Sequence, residues 1–127
     1  MIYGVGMDLV EVARITTAHD RWGLRFALRL LTDIELPEWQ CHPQPDRLLA
    51  RRFAAKEAAS KALGTGMRDG VSFRSISVGH DHLGKPLLEF HGEALALLRR
   101  RGIVAAHLSI TDERQFAAAV VVLEAAT

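Results

Sequence analysis

Three residues have the types and settings to do chemistry together: Asp8, Glu57 and Lys61. Glu57 and Lys61 lie in Arg51-Arg52-Phe53-Ala54-Ala55-Lys56-Glu57-Ala58-Ala59-Ser60-Lys61-Ala62-Leu63-Gly64-Thr65-Gly66. This is a run of strong helix formers that stops at a glycine suited to the left-handed residue after a helix end. At about 100° per residue, Ala50, Phe53, Ala54 and Lys61 share the face of Glu57. The carboxylate thus stands in a half-buried stripe, where a charge is costly unless a cation meets it. Lys61 can be that cation as an ordinary i,i+4 surface pair. Alternatively Glu57 binds a metal and Lys61 a phosphate, which requires a second carboxylate from elsewhere.

Asp8 is the candidate for that second carboxylate. Ile2-Tyr3-Gly4-Val5-Gly6-Met7-Asp8 alternates as a strand, with Tyr3, Val5 and Met7 on one face and Gly4, Gly6 and Asp8 on the other. The two glycines leave room for a ligand or for another stretch of backbone. Asp8 also suits the N-cap of a following helix, with Glu11 at the capping-box position. Two carboxylates leave most positions of a hard octahedral cation open, which is how Mg²⁺ is held when substrate phosphates and water complete its shell. Lys61 and Arg52 can neutralise phosphate charge, and Gly64-Thr65-Gly66 lets backbone approach an anion. No Walker loop, His-Glu-x-x-His or nucleophile elbow is present. The residues therefore point to a phosphorylated substrate.

These side chains have to be positioned by the rest of the chain. The central helix is expected from about Arg47 to Leu63, capped by Asp46 after the Cys41-His42-Pro43-Gln44-Pro45 loop. A helix is expected from Leu9 to about Trp22, with a further helical turn from Phe26 to Leu31. Arg14, Arg21 and Arg25 follow one another along its face. Such a stripe is either a solvated surface or a docking site for an acidic partner. Thr32 and Glu35 form a capping pair for a short helix. Strands are expected at 71–78, with a slip in alternation between 73 and 76 that suggests a bulge or an irregular entry, and at 87–90, 106–110 and 116–123. A helix is expected over 93–101. Val120-Val121-Val122-Leu123 is apolar on both faces, which calls for cover on both sides, by a helix and by another subunit.

The totals bound the class. At 127 residues the chain reads as one domain spanning 1–127, α+β, with a mainly antiparallel sheet on a long central helix. A net charge of +1 demands no nucleic acid. One cysteine, Cys41, excludes an internal disulfide and fits a cytoplasmic protein. No run approaches the roughly 20 apolar residues of a membrane span, and no secretory leader is visible.

The segment Ile2–Ile15, Ile2-Tyr3-Gly4-Val5-Gly6-Met7-Asp8-Leu9-Val10-Glu11-Val12-Ala13-Arg14-Ile15, closely resembles the N-terminal motif of bacterial holo-[acyl-carrier-protein] synthases. The run from Arg52 to Gly66 is similar to their second motif, and Gly84-Lys85-Pro86 and His107-Leu108-Ser109-Ile110-Thr111 look like later landmarks. The resemblance covers essentially the whole chain. It implies the 4′-phosphopantetheinyl transferase fold, assembled as a homotrimer with coenzyme A sites between subunits. The implied reaction moves 4′-phosphopantetheine from coenzyme A to a serine of apo-acyl carrier protein, releasing adenosine 3′,5′-bisphosphate, in fatty acid biosynthesis. Asp8 and Glu57 would hold Mg²⁺, and Glu57 and Lys61 would be catalytic. Arg52, Lys61, Gly64 and Gly66 would meet coenzyme A, and Arg14, Arg21 and Arg25 the acidic carrier protein. One position departs from the pattern: Asp112 stands where many members carry histidine, and Arg114 is the nearby base that could replace its contact. Two other classes share some of these features. They are a non-enzymatic adaptor that uses only the arginine stripe, and a metal-dependent pyrophosphohydrolase that passes phosphate to water.

Overall fold

A computed structural model describes all residues from Met1 to Thr127. Its elements run β1 (Ile2–Glu11), α1 (Val12–Trp22), α2 (Leu24–Leu30), α3 (Leu36–Gln40), α4 (Pro45–Leu63), β2 (Ile76–His80), β3 (Pro86–Phe90), α5 (Gly92–Arg100), β4 (Ile103–Asp112) and β5 (Phe116–Ala125). β1, β5 and β4 form an antiparallel sheet in that spatial order, and β2 pairs antiparallel with β3 in a hairpin. α4 lies across the inner face of the three-stranded sheet. The fold is thus the α+β arrangement expected, an antiparallel sheet on a long central helix.

The core is one cluster of 27 buried residues. Much of it is alanine from α4 (Ala50, Ala54, Ala55, Ala58, Ala59 and Ala62). Short side chains let the helix axis come close to the sheet. Gly4 and Gly6 complete the approach. A Cβ at Gly4 would stand 2.1 Å from the Ala62 carbonyl oxygen, and one at Gly6 would stand 2.0 Å from that of Ala58. The space beside Asp8 is therefore filled at these two positions by helix backbone, the second of the two readings left open.

Several boundaries differ from expectation. β1 continues past Asp8 to Glu11, because Leu9, Val10 and Glu11 pair with Ala118, Ala117 and Phe116 of β5. Asp8 is consequently a mid-strand residue and not a helix N-cap. α4 starts at Pro45, with proline in the first turn where its missing N–H costs nothing. Asp46 is not its cap; its carboxylate binds His19 Nδ1 at 2.6 Å. The slip between 73 and 76 is a 3₁₀ turn, Phe73–Ser75, and not a bulge. Thr32 and Glu35 do form a capping contact, Thr32 N donating to Glu35 Oε1 at 2.9 Å, although α3 itself begins at Leu36. Gly64 ends α4 in the left-handed region, φ 82°, its N–H bonded to the Lys61 and Ser60 carbonyls.

The outer face of the sheet is open in the single chain. Val5, Met7 and Leu9 are 55, 67 and 66 % exposed. They stand opposite Val122, Val120 and Ala118 in register. The inner residues of β5, Ala117, Ala119, Val121 and Leu123, are buried.

Candidate active site

β1 crosses α4 so that Asp8 meets the last turns of the helix. Lys61 Nζ donates to Asp8 Oδ1 at 3.0 Å and to the Met7 carbonyl at 3.1 Å. The ordinary i,i+4 pair with Glu57 is not formed; Lys61 reaches across to the strand instead. Asp8 Oδ2 is buried and has no hydrogen-bond partner. Glu57 is half-buried, and its pKa is raised, first by desolvation and then by the charge of Asp8, with Lys61 opposing. Two carboxylates thus approach closely enough to repel, and one of their oxygens has no donor. That arrangement is satisfied by a cation. The donor set is all oxygen and supplies two carboxylates, with no cluster of three or more metal-ligating side chains. This fits a hard ion such as Mg²⁺, which takes its remaining oxygens from substrate and water.

Gly64 and Gly66 both adopt positive φ, 82° and 63°, and no protein atom stands within 4 Å of a Cβ built on either. The backbone requires glycine there for conformation, and the ground in front of it is free for a ligand. Lys61 is exposed on the same side of the helix end.

Arg52 departs from expectation. Five residues from Glu57 it is turned about 140° around the helix, and its side chain is only 2 % exposed. It pairs with Glu38 Oε2 at 2.8 Å and with Glu35 Oε2 at 3.2 Å, so it fixes α3 onto α4 and does not face the Asp8–Lys61 cluster. Lys56 was missed. It is fully buried, and burial pulls its ammonium down to about 8 although Glu35 works against the shift. The signal was present: of its helical neighbours at i±3, i±4 and i±7, Leu49, Arg52, Ala59, Ser60 and Leu63 are buried and only Phe53 is half-buried.

Asp112 is held by Arg47 Nε at 2.6 Å and Arg51 Nη1 at 3.4 Å. These two arginines of α4 answer its charge, and Arg114 lines a separate cleft with Glu11, Thr16 and Gln115.

Arg14, Arg21 and Arg25 are all exposed, on α1 and α2, and none forms an ion pair within the chain. Gly23 breaks the helix between them, φ 58° and ψ −139°. Beside Arg25 lies an apolar groove of about 880 Å³, lined by Trp22, Phe26, Leu30, Phe53 and Phe73. Phe53 precedes Glu57 by one turn of α4, so groove and carboxylates share one helix face.

A family model described as the 4′-phosphopantetheinyl transferase superfamily matches residues 4–121. The chain is 55 % identical over 124 residues to the holo-[acyl-carrier-protein] synthase of Nitrosospira multiformis, covering 98 % of this chain and 99 % of that protein. The crystal structure of the holo-[acyl-carrier-protein] synthase from Neisseria meningitidis superposes with a TM-score of 0.92 at 48 % identity, covering 98 % of this chain and 99 % of that one. The Bacillus anthracis holo-(acyl-carrier-protein) synthase, solved in complex with CoA (3′,5′-ADP), gives a TM-score of 0.83 at 38 % identity over 99 % of both chains.

Proposed function

The chain belongs to the 4′-phosphopantetheinyl transferase superfamily, and from that premise we propose that it acts as a holo-[acyl-carrier-protein] synthase. It transfers 4′-phosphopantetheine from coenzyme A to a serine of apo-acyl carrier protein, in the service of fatty acid biosynthesis. The observation that carries the site assignment is the Asp8–Lys61 contact, with its buried, partnerless Asp8 Oδ2 beside a destabilised Glu57 carboxylate.

Mg²⁺ would be held by Asp8 and Glu57, and when bound would neutralise charge on the pyrophosphate. The other contributions come from this chain. Lys61 donates to the phosphate oxygens as charge builds on them, which is where protein catalysis of phosphoryl transfer mostly acts. The serine oxygen forms a bond to the β-phosphorus, the bridging P–O bond breaks, and adenosine 3′,5′-bisphosphate leaves. Glu57 is the candidate acceptor of the serine proton. Gly64 and Gly66 offer open backbone to coenzyme A.

Arg14, Arg21 and Arg25 steer the acidic carrier protein, and the apolar groove beside Arg25 receives the apolar side of the docking helix. Residues 1–127 form one transferase domain, which assembles as a homotrimer in the cytoplasm. The trimer reading is supported by the open face carrying Val5, Met7 and Leu9, since an apolar sheet face of that kind marks an interaction surface.

The test is the intact mass of apo-acyl carrier protein after incubation with this protein and coenzyme A, with and without Mg²⁺. A gain of one phosphopantetheinyl group only with metal is expected. Coenzyme A cleaved with the carrier unmodified would make the protein a pyrophosphohydrolase instead.

A further inference from the structure

Lys56 is next to Glu57 in sequence but takes no part in the chemistry above. Its ammonium group is fully buried and spends its three donors on three separate segments. Nζ donates to the Leu30 carbonyl at 2.7 Å, at the end of α2, to Glu35 Oε1 at 2.6 Å, and to the Phe73 carbonyl at 3.1 Å, in the 3₁₀ turn. Leu30 and Phe73 both line the apolar groove. Glu35 extends the connection, for its second oxygen accepts the N–H of Val78 in β2 at 3.0 Å. Phe73 in turn stacks on Phe53 of α4, centroids 5.4 Å apart. One side chain on α4 thus anchors two segments of the groove lining, which come from parts of the chain more than 40 residues apart.

Carbonyls and a carboxylate this deep need a donor. A hydrophobic side chain at position 56 would remove this donor from all three; Glu35 Oε1 would keep Thr32 N and the Phe73 carbonyl the Ile76 N–H, but the two groove segments would lose their common anchor. The Asp8–Lys61 contact would keep its own anchors, since Asp8 is carried by β1 and Lys61 lies more than a turn further along the helix.

We infer that Lys56 is a positioning residue for carrier-protein docking: through Leu30 and Phe73 it sets the shape of the groove that receives the carrier. The inference rests on the reading of groove and arginines as the docking surface.

The experiment is steady-state kinetics with apo-carrier protein and coenzyme A varied in turn. It compares wild type, Lys56→Met, the charge-neutral pair Lys56→Met/Glu35→Gln, and Arg25→Glu. The KM for carrier protein is expected to rise about tenfold in both Lys56 variants, a loss of about 1.4 kcal/mol in docking as the groove lining shifts. The KM for coenzyme A and kcat should stay within about twofold. An equal fall in kcat with an unchanged carrier KM would overturn the inference. So would loss of fold by circular dichroism in both variants, which would make Lys56 a residue of the fold alone. Arg25→Glu reports on the premise. A raised carrier KM there, with normal values in both Lys56 variants, overturns the positioning role only. An unchanged carrier KM in Arg25→Glu removes the docking surface itself.

Discussion

The metal-free fold raises the pKa of the Glu57 carboxyl, through desolvation and then through Asp8, against the pull of Lys61. A carboxyl whose pKa is raised in the folded state adds stability below its unfolded value and loses it as pH rises through the folded value. At neutral pH without metal, ionised Glu57 therefore weighs against the fold. Glu57→Gln should melt higher than wild type in EDTA at neutral pH, with the difference shrinking as pH falls toward the ordinary carboxylate range. Added Mg²⁺ should raise the melting temperature of wild type and not of the variant. Thermal unfolding followed by circular dichroism checks both; a variant that melts lower in EDTA would contradict the site electrostatics. Protons also compete for Glu57, so the Mg²⁺ concentration needed for half-maximal transfer should climb as pH falls. At this scale the sequence was informative about types and faces. The half-buried stripe of Glu57 and the glycine-side face of Asp8 follow from helical and strand periods. The partner of Lys61 was not legible, because it depends on how β1 is placed along α4. Arg52 was misplaced for want of the helical angle that had already been applied to Lys61.

The seam between β1 and α4 is the element on which the site depends. Gly4 and Gly6 meet the carbonyls of Ala62 and Ala58 with no room for a methyl group, and the next residue on that face of the strand is Asp8. Gly6→Ala should destabilise the chain by about 3 kcal/mol, the upper range for overpacking, measured by urea denaturation. It should also displace Asp8 from Lys61 and cut transfer in whatever fraction remains folded. A loss below about 1 kcal/mol would mean that the helix can shift away from the strand. The presence and order of nearly all elements could be read from the sequence, because long periodic runs such as 47–63 and 116–123 state their type. Ends were less legible. Leu9-Val10-Glu11 satisfies a helix by local preference, yet it stays extended because β5 offers it a ladder. The Phe73–Ser75 turn looked like a strand fault because both break a period of two.

At the scale of the molecule, the open face of the sheet decides association. Met7 stands at its middle, opposite Val120, and its side chain points away from the helix. Met7→Glu should lower the sedimenting mass of the proposed trimer to that of one chain without unfolding it, and activity should fall with it as the proposed coenzyme A sites between subunits come apart. A trimer that survives the substitution would move the interface elsewhere. The doubly apolar run at 120–123 announced a need for cover in the sequence, but which face the helix takes and which is left open required the structure. Strand order has a further consequence, for the timing of synthesis. β1 leaves the ribosome about a hundred residues ahead of its only strand neighbour, β5. Met1 and Ala125 are hydrogen-bonded to each other in the finished sheet. A nascent chain therefore displays an unpaired strand bearing Val5, Met7 and Leu9 while all the elements between the two strands are made. It cannot close its sheet until β5 is free. Premature termination anywhere before 116 would release a chain with Asp8 on a loose edge, a species for chaperones and proteases rather than a weaker enzyme.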